Sequence, residues 1–308
     1  MNSLWLIILT GSLTGAMGPG IPVLYATYGE LLVERAGRIN LGTEGSMLMG
    51  ACFGFIATVK TDNVAIGILA GALAGALLSL IYAYLVIIRH TNQLATGFTL
   101  ALFGGGITAY AGKTFVGSRI EGIYPFAIPL LADIPLLGRA FFQQDILTYF
   151  SYIMGPLLWA FLRYTRPGLS LRAVGEQAEI AFASGRNPAA WQFGAIIAGG
   201  MLAGVGGVEL SLGLTHCWIE GMTLGRGFIA VALVIFSMWS PLRAMVGAFL
   251  FGGAIGFQLQ LQSVGAPISP FLLDMFPYVI TLFVLTFWTG IALRAMPEGL
   301  KEVLKMGA

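Results

Sequence analysis

The chain has 308 residues, 57% of them hydrophobic and only 10% charged, and carries a net charge of +2. Soluble globular domains hold about 25% charged residues, so a soluble enzyme or binding module is excluded, and no nucleic-acid partner is expected. Apolar runs repeatedly reach the ~20 residues that a bilayer core demands, which predicts an all-α polytopic transmembrane bundle of about 8–10 helices, some of them discontinuous. Residues 1–308 form one domain on this reading.

In chain order, hydropathy marks nine segments: 4–28, 40–59, 64–88, 91–112, 146–162, 192–214, 227–239, 245–262 and 271–293. The first has no Lys or Arg ahead of it, unlike a secretory leader, and is read as a retained span. Basic residues in short loops set the orientation. With the N-terminus outside, Arg35, Arg38, Arg89, Arg163, Arg166, Arg172, Arg186, Arg243, Arg294, Lys301 and Lys305 fall on one side, against Lys60, Lys113, Arg119, Arg139 and Arg226 on the other. The loop 163–191 and the C-terminus are therefore expected in the cytoplasm. Segment 113–145, broken by Pro125, Pro129 and Pro135, becomes an external excursion of short pieces.

Two segments are abnormal. The thirteen residues 227–239 follow Gly221, Gly225 and Gly227 and precede Pro241. Their ~20 Å of helix is too short for the hydrocarbon core. Segment 40–59 opens with NLGTEG, which sets Glu44 between Gly42 and Gly45. Short, glycine-interrupted segments in both halves of a polytopic chain are the pattern of broken helices around a transport path.

Ionisable residues inside a membrane mark either a path or a structural pair. Glu34 and Arg35, at the inner end of the first span, are read as an interfacial ion pair. Glu44, with Asn40 nearby, is a candidate for the path, as are Asn92 and Gln93 at the start of the fourth span. Glu209 lies deep in a span, and both pairing with Arg226 and contact with a solute stay open for it. The runs GILAGALAGALLS (67–79) and AGGMLAGVGG (198–207) are packing faces on which backbones approach closely. Cys52 and Cys217 are expected as buried thiols rather than a disulfide, and His216 beside Cys217 is too little for a metal. Gly112-Lys113-Thr114 imitates the end of a P-loop, but Ile107 stands where the motif requires glycine. ATP and Mg therefore belong to another subunit, and this chain itself takes no cofactor.

A polar island, Leu169–Ile197, interrupts the apolar chain. Its stretch from Glu176 to Gly185 reads as one short amphipathic helix stopped at a glycine and followed by Asn187-Pro188. The spacing Glu179-x-Ala181-x-x-x-Gly185 resembles the EAA-type loop of ABC-importer permeases, with Ile180 in place of the second alanine. Gly29–Ala51 and Glu220–Ala254 are similar to signature stretches of bacterial nucleoside-type permease subunits, which belong with the ribose and branched-chain amino acid permeases. The resemblance covers most of the chain except 113–145.

It implies a multi-pass permease of the bacterial inner membrane that moves nucleosides or purines, or a simple sugar, by alternating access. The implied partners are an ABC ATPase, a second permease that is a different and longer paralogue, and an extracytoplasmic substrate-binding protein. Arg172, Glu176, Glu179, Ala181 and Gly185 would then couple the loop to the ATPase. An ion-coupled secondary transporter is the alternative, and it has no use for such a loop.

Overall fold

The computed structural model describes Gly15, residues 17–132, 134 and 137–265 (137 and 139 by backbone alone), scattered positions between 269 and 286, and 294–301. The first four helices are α1 (Met17–Arg35), α2 (Thr43–Thr61), α3 (Val64–Ala83, continued by a π turn Tyr84–Ile88) and α4 (Gln93–Gly112, continued by a 3-10 turn Lys113–Phe115). In the 113–145 excursion, β1 (Phe126–Ala127) and β2 (Gln143–Gln144) pair antiparallel around a short α5 (Leu137–Phe141). Then follow α6 (Ile146–Tyr164), α7 (Arg166–Glu176), α8 (Ala178–Ala183), α9 (Pro188–Val208, continued by a π turn Glu209–Leu214), α10 (Arg226–Phe236) and α11 (Pro241–Ser263).

Among the described residues, five helical runs are long and apolar enough to cross a membrane: 64–88, 93–115, 146–164, 188–214 and 241–263. Side chains set the starts of several. Asn63, Asn92, Asp145 and Asn187 each accept from amides in the first turn of α3, α4, α6 and α9, which satisfies donors that a helix leaves without partners. Pro241, which follows the short segment 227–239, opens α11, where a missing N–H costs nothing.

The expected span 4–28 needs correction. Its described part is α1, which runs on to Arg35, so Glu30 and Glu34 lie inside the helix. Residues 4–14 fall outside the described residues, and segment 271–293 is described only at scattered positions.

Every residue of α1 except Gly18 and Arg35 is buried. A helix apolar on all sides belongs at the centre of a bundle, and α9, α10 and α11 pack around it. Next to it α9 wedges between α1, α2 and α3. A side chain at Gly199 would strike Gly29, one at Gly204 would strike Gly71, and one at Gly200 would strike Ser79 and Gly75. Lipid supplies no hydrophobic drive for helices to associate, so close backbone approach and polar bridges hold them instead. The bridges here are Tyr25 Oη to Leu147 O at 2.6 Å, Ser211 Oγ to Ala51 O at 2.9 Å and Ser46 Oγ with Ser79 Oγ at 3.1 Å. The expected packing faces 67–79 and 198–207 are thus the faces that meet.

Candidate coupling segment and translocation site

One end of the bundle collects the arginines. The C-termini of α1, α3, α6 and α10 lie there with the N-termini of α4, α9 and α11. The reversal 36–42 ties these ends together. Gln93 Oε1 accepts from Ile39 N at 3.1 Å, Gln192 Nε2 donates to Ala36 O at 3.2 Å, and the Tyr82 hydroxyl donates to Ile39 O. Glu30 completes the reversal, accepting from Asn40 N at 2.7 Å and from Thr43 Oγ1 at 2.9 Å. Arg38, in the same loop, is pulled below the usual arginine range by burial, with Tyr82 opposing.

The polar island lies at this end. Thr165 caps α7, accepting from Gly168 N at 3.1 Å. The single helix expected from Glu176 to Gly185 is two pieces. Gln177, at φ −148, breaks the chain, so Glu176 ends α7 together with Arg172, and Glu179 and Ala181 belong to α8. The stop falls where the sequence put it: Gly185 has φ +80, Asn187 caps α9, and Pro188 starts it. Ala181 faces inward at 3% exposure, whereas Ile180 at 61% and Phe182 at 69% stand out from the protein. Between α7 and α8 a cavity of about 590 Å³ is lined by Leu169, Ala173, Glu176, Ile180 and Arg186. Behind the segment, Glu298 N donates to Glu176 Oε2 at 3.3 Å.

Glu34 and Arg35 do not pair with each other as expected; both hold Trp239. Its indole Nε1 donates to Glu34 Oε2 at 2.6 Å, and Arg35 donates to its carbonyl at 2.8 Å and 3.1 Å. The α10–α11 turn is therefore fastened to the end of the central helix. At the other end of α10, Glu44 Oε1 accepts from Thr223 Oγ1 at 2.5 Å and Gly225 N at 2.9 Å, and Oε2 accepts from Gly227 N at 2.7 Å. A carboxylate on the first amides of a helix matches its dipole. Gly225 itself is left-handed at φ +80, which is why glycine stands there.

The candidate path residues separate on this geometry. Glu44 and Arg226 come together at the entry to α10, whereas Asn40 lies in the reversal beside Glu30. Asn40 is buried and its Oδ1 accepts from Gly42 N at 2.9 Å, while Arg226 donates to Met222 O and Thr223 O. Gln93 is buried beside the reversal, and Asn92 is exposed as the cap of α4. Glu209 sits elsewhere. Its carboxyl meets Asp145 at the start of α6, not Arg226. Trp239, Thr223 and Asp145 were missed in the sequence. Only Asp145 carried a signal, as the first residue of the capping pattern Asp145-x-x-Thr148.

The profile of the family described as branched-chain amino acid transport system / permease component matches residues 4–285. The chain belongs to that permease family. It is 37% identical over 299 residues to a Haloferax volcanii protein provisionally named a glucose ABC transporter permease, covering 90% of this chain and 91% of that one. It is 30% identical over 296 residues to a nucleoside ABC transporter permease of Lactococcus lactis subsp. cremoris, covering 92% and 93%. A guanosine ABC transporter permease of Bacillus subtilis is 31% identical over 295 residues, with 87% and 89% covered. No solved structure matches. The protein is thus a multi-pass membrane permease of the ABC type, a transport component and not an enzyme. Membership sets aside the ion-coupled alternative and implies, in general terms, an ATPase and a substrate-binding protein as partners.

Proposed function

We propose that this permease imports nucleosides or purines, or a simple sugar, across the inner membrane by alternating access, and that the loop 163–191 couples it to its ATPase. The observation that carries the coupling is α8. Its apolar Ile180 and Phe182 project from the arginine-rich end, beside a cavity and ahead of a glycine-formed stop. Exposed apolar side chains on an otherwise polar segment are interface anchors. Arg172, Glu176, Glu179, Ala181 and Gly185 build and orient this surface. The substrate class is supported by the names of the relatives, which share neutral, ring-bearing polar solutes.

A path for such a solute is supported on one face. Trp218 packs on Gly112 at the far end of α4, while Gly227 packs on Glu44, level with Gly97–Gly104 of α4. Residues 219–225 therefore descend about 18 Å along α4, at its rise of 1.5 Å per residue, without forming a helix. Irregular backbone at membrane depth is tolerated only where protein or water covers it. Leu224 is 72% exposed, and Tyr110 is 88% exposed on the adjoining face of α4, which mixes Thr99 and Gly106 with the exposed Leu102 and Phe103. By contrast, the outward stripe of α3, from Ile66 through Leu69, Leu73 and Leu77, is wholly apolar and suits lipid. The α4 face accordingly borders the water-filled path, with the second permease, a different and longer paralogue, across it. Glu44 and Arg226 position this wall, and Asn40, Asn92 and Gln93 hold its inner end. Glu209 serves the helix packing behind it.

The test is uptake of labelled nucleosides and sugars by the importer reconstituted with its ATPase and binding protein. ATP-driven uptake that survives an ionophore is expected. Uptake that collapses with the ion gradient at constant ATP would sink the coupling.

A further inference from the structure

The arginine-rich end holds a second feature, distinct from α8. A cavity of about 250 Å³ opens between the end of α6, the end of α1, α7 and the start of α11, and is lined by Arg35, Arg163, Arg172 and Arg243 with Trp159 and Trp239. Four guanidinium groups thus converge with no carboxylate in the lining. Among the described residues the one salt bridge is Lys301–Glu298, so none of the four is paired. Arg172 and Arg243 bear electrostatically on Arg35 as like charges, and Glu176 and Glu34, outside the lining, as opposite ones. Arg172 Nε is buried without a hydrogen-bond partner. Ser240 and Pro241, the first residues of α11, complete the lining, and Ser240 makes no side-chain cap. The first-turn amides of this 23-residue helix therefore carry their partial positive charge at the same place.

Like charges gathered around a cavity repel at close range and gain from a counter-ion with several acceptor oxygens. Guanidinium forks match phosphate geometry. We propose that this cavity binds the phosphate of an anionic phospholipid of the cytoplasmic leaflet. The placement argues for lipid as the source. Helices α6 and α11 turn exposed apolar side chains outward on the way to the cavity, Ile153 and Leu157 on one and Leu242 and Val246 on the other. Acyl chains would lie along them. Trp159 meets Tyr164 edge-to-face at 5.4 Å at the same level, an aromatic pair of the kind that marks the headgroup zone. Basic pockets between helices on the cytoplasmic side have the chemistry to hold such headgroups.

Arg163 is exposed and Arg243 bonds only to Met238, so neither donates to Trp239 or Glu34, and exchange in the α10–α11 turn checks that the clamp stays closed in the double variant. The purified full chain, in detergent with phosphatidylglycerol or phosphatidylcholine, is examined by native mass spectrometry and by thermal unfolding. Phosphatidylglycerol should be retained and should raise Tm, phosphatidylcholine should do neither, and inorganic phosphate at equal concentration should give a much smaller rise. The Arg163→Gln/Arg243→Gln double variant should weaken retention by about tenfold or more, the loss of one charged hydrogen bond being enough. Arg89→Gln, at the same end but outside the cavity, should change nothing. Equal retention by the double variant, or loss to the same degree in Arg89→Gln, overturns the site. A Tm rise with inorganic phosphate and none with phosphatidylglycerol overturns the lipid as its ligand. Phosphatidylglycerol retained only when the ATPase is absent overturns it too, since an acidic side chain of that partner then fills the cavity.

Discussion

Replacing Glu44 by glutamine tests whether the short helix α10 is held in place by its carboxylate. Both oxygens of Glu44 accept, one from Thr223 Oγ1 and Gly225 N, the other from Gly227 N. Glutamine offers one acceptor, so whichever way it turns, an amide NH₂ faces a backbone N–H. One charge-assisted bond is lost and leaves a buried donor without a partner, a cost of about 1–3 kcal/mol for a neutral acceptor and more for a charged one. Since Glu44 is buried at 7% exposure, water offsets little of this, and local destabilisation of about 2–4 kcal/mol is expected. Read as amide exchange, that is roughly a 30- to 900-fold acceleration at residues 225–227. Hydrogen–deuterium exchange on the purified protein measures it directly. Uptake should fall while membrane expression and subunit assembly persist. Unchanged exchange at these amides, with uptake at the wild-type rate, would refute the latch and leave Glu44 as filler at a helix entry.

Other substitutions probe other parts. At Gly185 a side chain would meet nothing within 4 Å, so Gly185→Asp acts through its backbone. Holding a non-glycine residue at φ +80 costs about 1–2 kcal/mol, and ATPase co-purification and ATP-driven uptake should both drop. Gly185→Asn, which tolerates that conformation better, should lose less, and the reverse order would count against the argument. Gly204→Leu forces a side chain into the backbone of Gly71 and should lower Tm in detergent, by overpacking of about 1–3 kcal/mol or more. Trp239→Phe removes the indole donor from the buried Glu34 and should cost about 1–3 kcal/mol, read as faster exchange in the α10–α11 turn. A reporter that works only in the cytoplasm should be active after Ala308 or near Pro167 and silent near Pro129; activity at Pro129 inverts the orientation.

Much of the helix order was legible because a bilayer imposes one length and one polarity on every span. The glycine faces 67–79 and 198–207 were legible too, since small residues at helical spacing have few other uses in lipid. The charged residues were not. Glu34 and Arg35 are neighbours in sequence, yet each bonds to Trp239, about two hundred residues away. Glu209 lies beside Asp145 rather than Arg226, with its Oε2 buried and unpartnered, because the neighbour of a buried carboxyl is decided by which helix lies alongside, and no periodicity encodes that. The island was misread for a local reason. Gln177 leaves the helical region two residues after Gly175, a weak helix former that alone does not dictate a stop, so the break between α7 and α8 shows only in three dimensions.

The two fastenings of α10 have a consequence for how its length can vary. Glu44 fixes one end of the eleven-residue helix and the Glu34–Arg35 clamp fixes the other. One inserted residue turns the far end by about 100° and pushes it about 1.5 Å along the axis. Trp239 then leaves its clamp, or Gly225 and Gly227 leave Glu44. The helix is a spacer of set length between two sockets, and insertions should be forbidden between residues 227 and 238.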